Sequence, residues 1–559
     1  MAAGRQGRPP VRVSGRRARS ARSPREGGTA AGALRNPARH LWCNVAPDPL
    51  EHCLPDPLFI RGARWAAPVL LLAGLCACSL TPPPAQVATA VPARWHLDDA
   101  TPPSPAAPGQ PAAAPVASLH DAWQQLNDPV LLQLIAQALA VSPDVASART
   151  RVSEARAGLI AAGAARLPTL DGQLSATRSN AGTTTAQGGT VPATVLQAGL
   201  QSQWEIDLFG GRGAAHEAAS RRAEAALAQQ AAAHVALAAE VANAYFNERA
   251  CSQQWDVARA DAESRAHSAQ LTALSAQAGF TAPADAALAR AAAADAAART
   301  RDTQTQCAVA RKALVALTAS DEAALAQQLQ DVRLREAWPV MAAVPSVPAP
   351  LLLQRPDVFA AEQAVAAASA DVGEAQAQRY PRLTLTGSIG RMQTRALGVH
   401  ASADTWSLGP LALSVPLFDG GVRRANVATS QARYDEAVVG LRATVRDAVR
   451  EVEVALTQLA ASQARKTQLQ TAVADYQRYL RATQARHDNG LASQFELEDA
   501  RRTWLAARLS LVGVQRDEAL AWVSLYRALG GGWQRDGQAL ADAASATPAS
   551  PASPTTASP

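Results

Sequence analysis

The sequence predicts an α+β membrane protein built from two copies of one unit of about 210 residues, each supplying two β-strands and a very long helical hairpin. Three observations predict it. Landmarks recur in pairs at a nearly constant offset, two stretches of nearly 70 residues run without proline, and each follows strands that alternate apolar with polar residues. Composition agrees: of 559 residues close to a quarter are Ala, 48% are apolar, 4% aromatic and 18% charged. Alanine buries little area per residue, so long, closely packed helices rather than a single compact aromatic core are expected.

Charge excludes one class of partner. The chain total is +6, but residues 1–77 carry 12 Arg against four acids, which leaves residues 78–559 near −2 and argues against nucleic-acid binding. That amino-terminal region reads as processing rather than fold. Arg61 and Arg64 precede the apolar run Trp65 to Ala77, too short to span a bilayer as a helix. The run ends Leu75-Cys76-Ala77-Cys78, which resembles a bacterial lipobox with Cys78 as the lipidated first residue; Ser79 after it favours sorting to the outer membrane. Thr81-Pro82-Pro83-Pro84 follows at once, against a continuing buried helix. Residues 1–60 are expected to be either an over-extended start, with translation beginning near Leu54 or Leu58, or a disordered basic extension.

The repeat is read from ordered landmarks. Ser142-Pro-Asp-Val145 matches Arg355-Pro-Asp-Val358, Arg166-Leu-Pro-Thr-Leu170 matches Arg379-Tyr-Pro-Arg-Leu383, and Leu208-Phe209-Gly-Gly211 matches Leu417-Phe418-Asp-Gly-Gly421. Gly279 pairs with Gly490 and Ala316-Leu317 with Ala528-Leu529. The expected organisation is an extension plus signal over 1–77, an extended segment over 78–118, a first repeat over 119–330, a Pro-rich linker over 331–355, a second repeat over 356–530 and a disordered tail over 531–559.

Each repeat reads as helix, strand, strand, long helix, turn, helix. Residues 143–165 open as helix; then Leu196, Ala198, Leu200, Trp204, Ile206 and Leu208 share one face of a strand, opposite Gln197, Gln201, Gln203, Glu205 and Asp207. In the second copy Leu383, Leu385 and Ile389 alternate with Thr384, Thr386 and Ser388, and Leu411, Leu413, Val415 and Leu417 alternate after a register change at Gly409-Pro410. Polar loops are expected over 182–192 and 395–404. Gly-Gly turns then launch helices over 211–278 and 422–488, on the order of 100 Å each at the α-helical rise, with return helices over 284–318 and 494–529. Cys251 and Cys307 each lie 28 residues from Gly279, so an antiparallel hairpin folded there sets them at one height, where a disulfide or two buried thiols fit.

Four amphipathic strands cannot close a barrel alone, so a membrane reading requires several copies: two give a filled interior, three a lumen. Tyr380, Phe209 and Phe418 fall where strands meet helices, as interfacial aromatics do.

Leu351-Leu-Leu-Gln-Arg-Pro-Asp-Val358 with Ala361-Glu362, then Tyr380-Pro-Arg-Leu-Thr-Leu-Thr-Gly387 and Val415-Pro-Leu-Phe-Asp-Gly-Gly421, strongly resemble the outer membrane factor family, the NodT-like lipoproteins of resistance-nodulation-division (RND) efflux pumps, related to TolC. The resemblance implies a homotrimer: a twelve-stranded β-barrel in the outer membrane continuous with a periplasmic α-helical coiled-coil barrel, anchored through an acyl chain on Cys78. It implies a periplasmic adaptor (membrane fusion) protein and an inner-membrane RND transporter as partners. Hairpin tips at Gly279, Phe280, Asn489, Gly490 and Ser493 would meet the adaptor; Ser275 stands where the second tip has Arg486. Glu496 and Asp499 share a helix face and would form carboxylate rings at a gate, with Tyr476, Tyr479, Arg481 and Arg486 latching the closed state.

No enzyme signature stands out, the nine His lack metal-ligand spacing, and no cofactor, metal or nucleic acid is expected. The function this implies is a passive exit duct for drugs or small toxic solutes. The alternatives are a type I protein secretion duct and a non-conducting periplasmic coiled-coil scaffold.

Overall fold

The computed structural model describes residues 80–89, 95, 122–180, 192–333, 338–339, 352, 354–396 and 398–535. Residues 1–77, Cys78, nearly all of the 182–192 loop, much of the 331–355 linker and the 541–559 tail lie outside them.

The first repeat runs α1 (Ala122–Gln125), α2 (Pro129–Val141), α3 (Pro143–Ala164), β1 (Thr169–Ser179), β2 (Ala193–Ile206), α4 (Gly211–Gln277), α5 (Pro283–Thr318) and α6 (Glu322–Arg333). The second runs α7 (Pro356–Ala377), β3 (Arg382–Ala396), β4 (Val399–Ser414), α8 (Val422–Asp488) and α9 (Gln494–Ala528). Proline marks the helix starts because the first helical N–H needs no partner. Ser142 shows the device: its N–H closes α2 on Ala138 O at 2.9 Å while its Oγ accepts from Val145 N at 3.4 Å to cap α3.

The long helices α4 and α8 have 67 residues each. A 22-residue and a 36-residue helix, α3 and α5, lie end to end along α4, and α7 and α9 do the same for α8, so each rod is covered along most of its length. α4 also packs against α7 and α9, which joins the repeats. Cys251 of α4 and Cys307 of α5 are joined by a disulfide, with Cα atoms 5.4 Å apart.

The four strands form one antiparallel sheet in chain order. Within the polar segment 395–404, expected to be a loop, the described residues are instead mostly strand: β3 continues to Ala396, β4 begins at Val399, and the two pair with each other. Polarity misled because this end rises beyond the apolar part of the sheet. At the cis Gly409–Pro410 step β4 carries one extra residue, so Leu411 faces Leu385 while Leu408 faces Gly387. The bulge keeps Leu408 and Leu411 on one face although they are three apart. Gly199 and Gly390 are register partners, and a Cβ on Gly390 would lie 2.6 Å from Ala198 O; β2 and β3 approach too closely there for a side chain.

Contrary to the compositional expectation, an aromatic knot does exist where α1, α2 and α6 clasp the long helices. Trp123 of α1 meets Trp522 and Tyr526 of α9 edge-on at 5.4 and 4.6 Å, and Phe246 stacks on Trp338 at 6.1 Å. Beside it the buried Asp128 caps α2 and accepts from Tyr245 Oη at 2.5 Å, with Arg249 Nη1 3.4 Å away. Burial first, and the Asp128 charge second, push the Tyr245 phenol above its ordinary value. Residues 531–535, assigned to the tail by sequence, are folded: Trp533 packs on Phe359 and Arg535 pairs with Glu362 at 2.9 Å.

Arg355 explains the Arg-Pro-Asp-Val motif. Its buried guanidinium donates to Ala528 O at 2.8 Å, to Asp357 Oδ2 at 2.7 Å and to Glu451 Oε2 at 2.9 Å, tying the start of α7 to α8 and to the end of α9. Burial opposes its charge, yet the bonds to Asp357 and Glu451 prevail and raise its pKa. Burial likewise opposes the Asp357 carboxylate, but Arg355 holds it below its ordinary value.

Arg355→Ala should therefore cost about 2–3 kcal/mol by leaving the Ala528 carbonyl and a carboxylate unpaired, seen as a lower thermal midpoint, with Arg355→Lys rescuing only part because the fork is lost. Because the folded-state pKa of Asp357 is depressed, its contribution is complete above about pH 4 and fades as pH falls below that; Asp357→Asn should flatten this acid limb of the midpoint-versus-pH curve. Reducing the disulfide, which spans a separation of 56 residues, should remove on the order of 4 kcal/mol, measured as a midpoint shift with reductant that Cys251→Ser/Cys307→Ser abolishes.

Candidate membrane sheet and hairpin tips

Residues opposite one another in an antiparallel pair share a face, so the register assigns every side chain. One face carries Leu170, Leu174, Leu196, Leu200, Trp204, Leu385, Ile389, Trp406, Leu408, Leu411 and Leu413. Trp406 and Leu408 are each 80% exposed. The other carries Asp171, Gln173, Ser175, Gln197, Gln201, Gln203, Thr384, Thr386 and Ser388. Among the described residues nothing covers the apolar face, and β1 and β4 each leave one edge unpaired. No single helix among the described residues is long and apolar enough to cross a membrane; the sheet is the element whose pattern suits one. At its lower rim Phe209 stacks on Tyr380 at 4.8 Å and Phe418 is exposed.

At the far end of the rods both tips turn on a left-handed glycine, Gly279 (φ 77°) and Gly490 (φ 72°), and both close the turn by the same bond, Phe280 N to Ser275 O at 2.9 Å and Leu491 N to Arg486 O at 2.7 Å. The position that differs between copies does equivalent work. Ser275 bonds Thr281 side chain to side chain at 2.5 Å, whereas Arg486 donates to Leu491 O at 3.2 Å. Asn489 Nδ2 donates to Ala485 O. Phe280 and Leu491, 86% and 70% exposed, occupy the same place on the two tips.

Ser493 and Glu496 form a reciprocal capping box: Glu496 N donates to Ser493 Oγ at 3.2 Å and Ser493 N to Glu496 Oε2 at 2.9 Å. The Glu496 carboxylate is thus committed to its own helix. Asp499 is exposed, with Arg502 Nη2 at 3.4 Å. On α8, Tyr476, Tyr479 and Arg481 are exposed to solvent in a single chain. The acid that sequence reasoning passed over is Glu498, only 1% exposed: it reaches Ser264 and His267 (3.4 Å) of α4, with Gln494 (3.1 Å) and Arg501 (3.2 Å) from its own helix. Arg502 Nη1 adds a bond to Ser268 Oγ at 3.3 Å. These contacts sew the two hairpins together close to their tips.

The model of the outer membrane efflux protein family matches residues 134–320 and 347–531. The chain belongs to that family. It is 30% identical over 473 residues to the solvent efflux pump outer membrane protein SrpC of Pseudomonas putida, covering 83% of this chain and 98% of that one. It is also 30% identical to the pyoverdine export outer membrane protein OpmQ of Pseudomonas aeruginosa, over 84% of this chain and 96% of that one. The structure of the outer-membrane channel OprN superposes with a TM-score of 0.64 at 28% identity, covering 78% of this chain and 99% of that one. The fold of this efflux protein is therefore that of the trimeric outer membrane channels, each chain giving four of twelve strands, with the sheet in the outer membrane and the helices in the periplasm. The relatives are efflux and channel proteins, not enzymes.

Glu498→Ala should cost on the order of 2–3 kcal/mol by stranding buried partners, read as faster hydrogen exchange over 260–270 and 494–502 with the sheet unaffected. Asp499→Ala, solvent-exposed, should stay within about 0.5 kcal/mol of wild type in the same measurement.

Proposed function

We propose that three copies form the passive exit duct of a tripartite efflux pump, taking drugs or small toxic solutes from an inner-membrane RND transporter through a periplasmic adaptor to the outside. The observation that carries this reading is the continuity of an open, two-faced sheet with rods of 67 residues through the turns at Gly210 and Gly421. Such a duct has a wet lumen along the polar face and lipid against the apolar one. Relatives equally similar to this chain are named for solvents and for pyoverdine, which supports a duct whose cargo is chosen elsewhere in the pump.

The adaptor meets the tips, and the exposed Phe280 and Leu491 are its apolar footholds, framed by Gly279, Asn489, Gly490 and Ser493. The gate lies just above, where Asp499, Arg481, Tyr476, Tyr479 and Arg486 face neighbouring protomers; Glu496 serves there as the cap that stiffens the start of α9. The lipid anchor on Cys78 fits the path of the chain after it. Thr81 exchanges bonds of 3.2 Å with Gln376, Ser369 donates to Pro83 O, and a Cβ on Gly210 would lie 3.8 Å from Leu80, all beside the strand-to-helix junction. Cys78 precedes Leu80 by two residues, which span at most about 7 Å of chain, a distance that supports an acyl group at the inner face of the membrane holding the sheet.

Single-channel recording from purified trimers in planar bilayers tests the duct. Wild type should show small, rarely open conductance, and Asp499→Ala combined with Arg481→Ala should raise the open fraction at least severalfold. A folded monomer without any pore would refute the reading. Phe280→Asp with Leu491→Asp should abolish capture of a purified cognate adaptor while leaving conductance and trimer assembly intact.

A further inference from the structure

The apolar face of the sheet changes character at one height. Ile389 and Trp406 are register partners, and one step beyond them Arg391 faces Asp404. Farther out, Arg178 of β1, Thr194 of β2, Arg395 of β3 and His400 of β4 stand in a single cross-strand row. Arg178, Arg391, Arg395 and His400 are all exposed. Asp404, 3.7 Å from Arg391, is the one acid on this face of the four strands. Arg178 and Arg395 lie two strands apart, about 10 Å, and Arg391 and Arg395 about 13 Å apart along β3.

The opposite, lumen-side face carries no charge at these heights: its rows read Thr177, Val195, Thr394, Ala401 and Ser175, Gln197, Met392, Ala403. Charges kept for solubility or for conduction would appear on the wet face as well. At these heights they are confined to the face that lower down meets lipid, whereas at the periplasmic end that same face is uncharged, its rows reading Trp204, Leu385, Leu411 and Ile206, Leu383, Leu413, and the charges there, Asp171, Glu205 and Arg382, lie on the polar face. The two leaflets are thus met by different chemistry.

We propose that Arg178, Arg391 and Arg395 form a belt that binds the phosphate groups of phosphorylated glycolipids in the outer leaflet of the outer membrane. Arginine at headgroup height extends its guanidinium along the bilayer surface and pairs with phosphate through two parallel N–H bonds. Cations spread over 10–13 Å on a curved wall suit a headgroup bearing more than one phosphate better than a lone ion. In a closed trimer the belt repeats three times around the barrel, so glycolipids would seal its outer rim. The inference rests on the membrane placement of the sheet and is independent of the gate and of the cargo.

The test is retention of bisphosphorylated lipid A by detergent-purified trimers, followed by native mass spectrometry after size exclusion. Wild type should retain lipid A, and the variant Arg178→Gln/Arg391→Gln/Arg395→Gln at least fivefold less. Lipid A stripped of its phosphates should bind wild type as poorly as intact lipid A binds the variant, and inorganic phosphate at equal concentration should not displace the lipid. Equal retention by wild type and variant, or retention indifferent to the phosphates, would overturn the belt; displacement by inorganic phosphate would reassign it to free anions. Should the triple variant not assemble, Arg178→Lys/Arg391→Lys/Arg395→Lys and the single Arg395→Gln give the same discrimination, the first keeping the lipid and the second losing part of it. A variant that conducts like wild type yet still retains lipid A sinks this inference alone.

Discussion

A sheet in hydrocarbon has no water to satisfy its edge, and that constraint organises the rest of this protein. β1 and β4 each expose a row of backbone N–H and C=O groups that one chain cannot pair. Closure must come from other copies, and once the sheet is shared the helices below it must be shared too. Each strand pair runs directly into a rod through a glycine turn, so the circumference of the barrel dictates the circumference of the tunnel. The Gly199–Gly390 contact belongs to the same requirement, since strands that curve into a barrel approach most closely where no side chain intervenes.

The duplication lets one solution be used twice, but the copies have diverged where they brace themselves. In the first hairpin Cys251 and Cys307 join the rods covalently 28 residues from Gly279. The same distances from Gly490 fall on Ser462 and Glu518; there Ser462 bonds only its own helix, and Glu518 accepts from Lys466 at 2.6 Å. A covalent brace and an ion pair differ in what they permit, because an ion pair re-forms after the helices slide and a disulfide forbids the slide. The tips differ less than their sequences imply, as Ser275 and Arg486 both fasten the loop that follows them.

Much of this was legible because the signals were periodic or punctuated. Proline-free stretches bounded by glycine located the rods to within about two residues, a margin usual for helix ends, and strict alternation identified both faces of the sheet. Polar residues from Arg395 to Asp404 read as loop because strand and loop differ there only in pairing, across the β3–β4 hairpin and, for Arg395 and Ala396, with the distant β2. Helices α1, α2 and α6 and the aromatic knot they build were hidden for a related reason. Trp123, Trp338 and Trp522 are scattered through the chain and meet only after folding. The periodicity of Phe495 to Asp499 put Glu496 and Asp499 on one face of a helix, and both are exposed on α9, yet it could not say that Glu498 was the buried member.

That last difference bears on how the gate proposed near the tips would work. Carboxylates that face outward, such as Asp499, act on whatever neighbouring protomers present, and their influence is screened and adjustable. A buried carboxylate acts on its own chain: Glu498 holds Ser264 and His267 of the first hairpin, so opening by separation of the two hairpins within a protomer would leave several polar groups without partners at once. Rigid movement of both hairpins together breaks none of these bonds. The arrangement therefore favours a tip region that moves as one body in each protomer, so that in the gate proposed above the compliance falls to contacts between protomers.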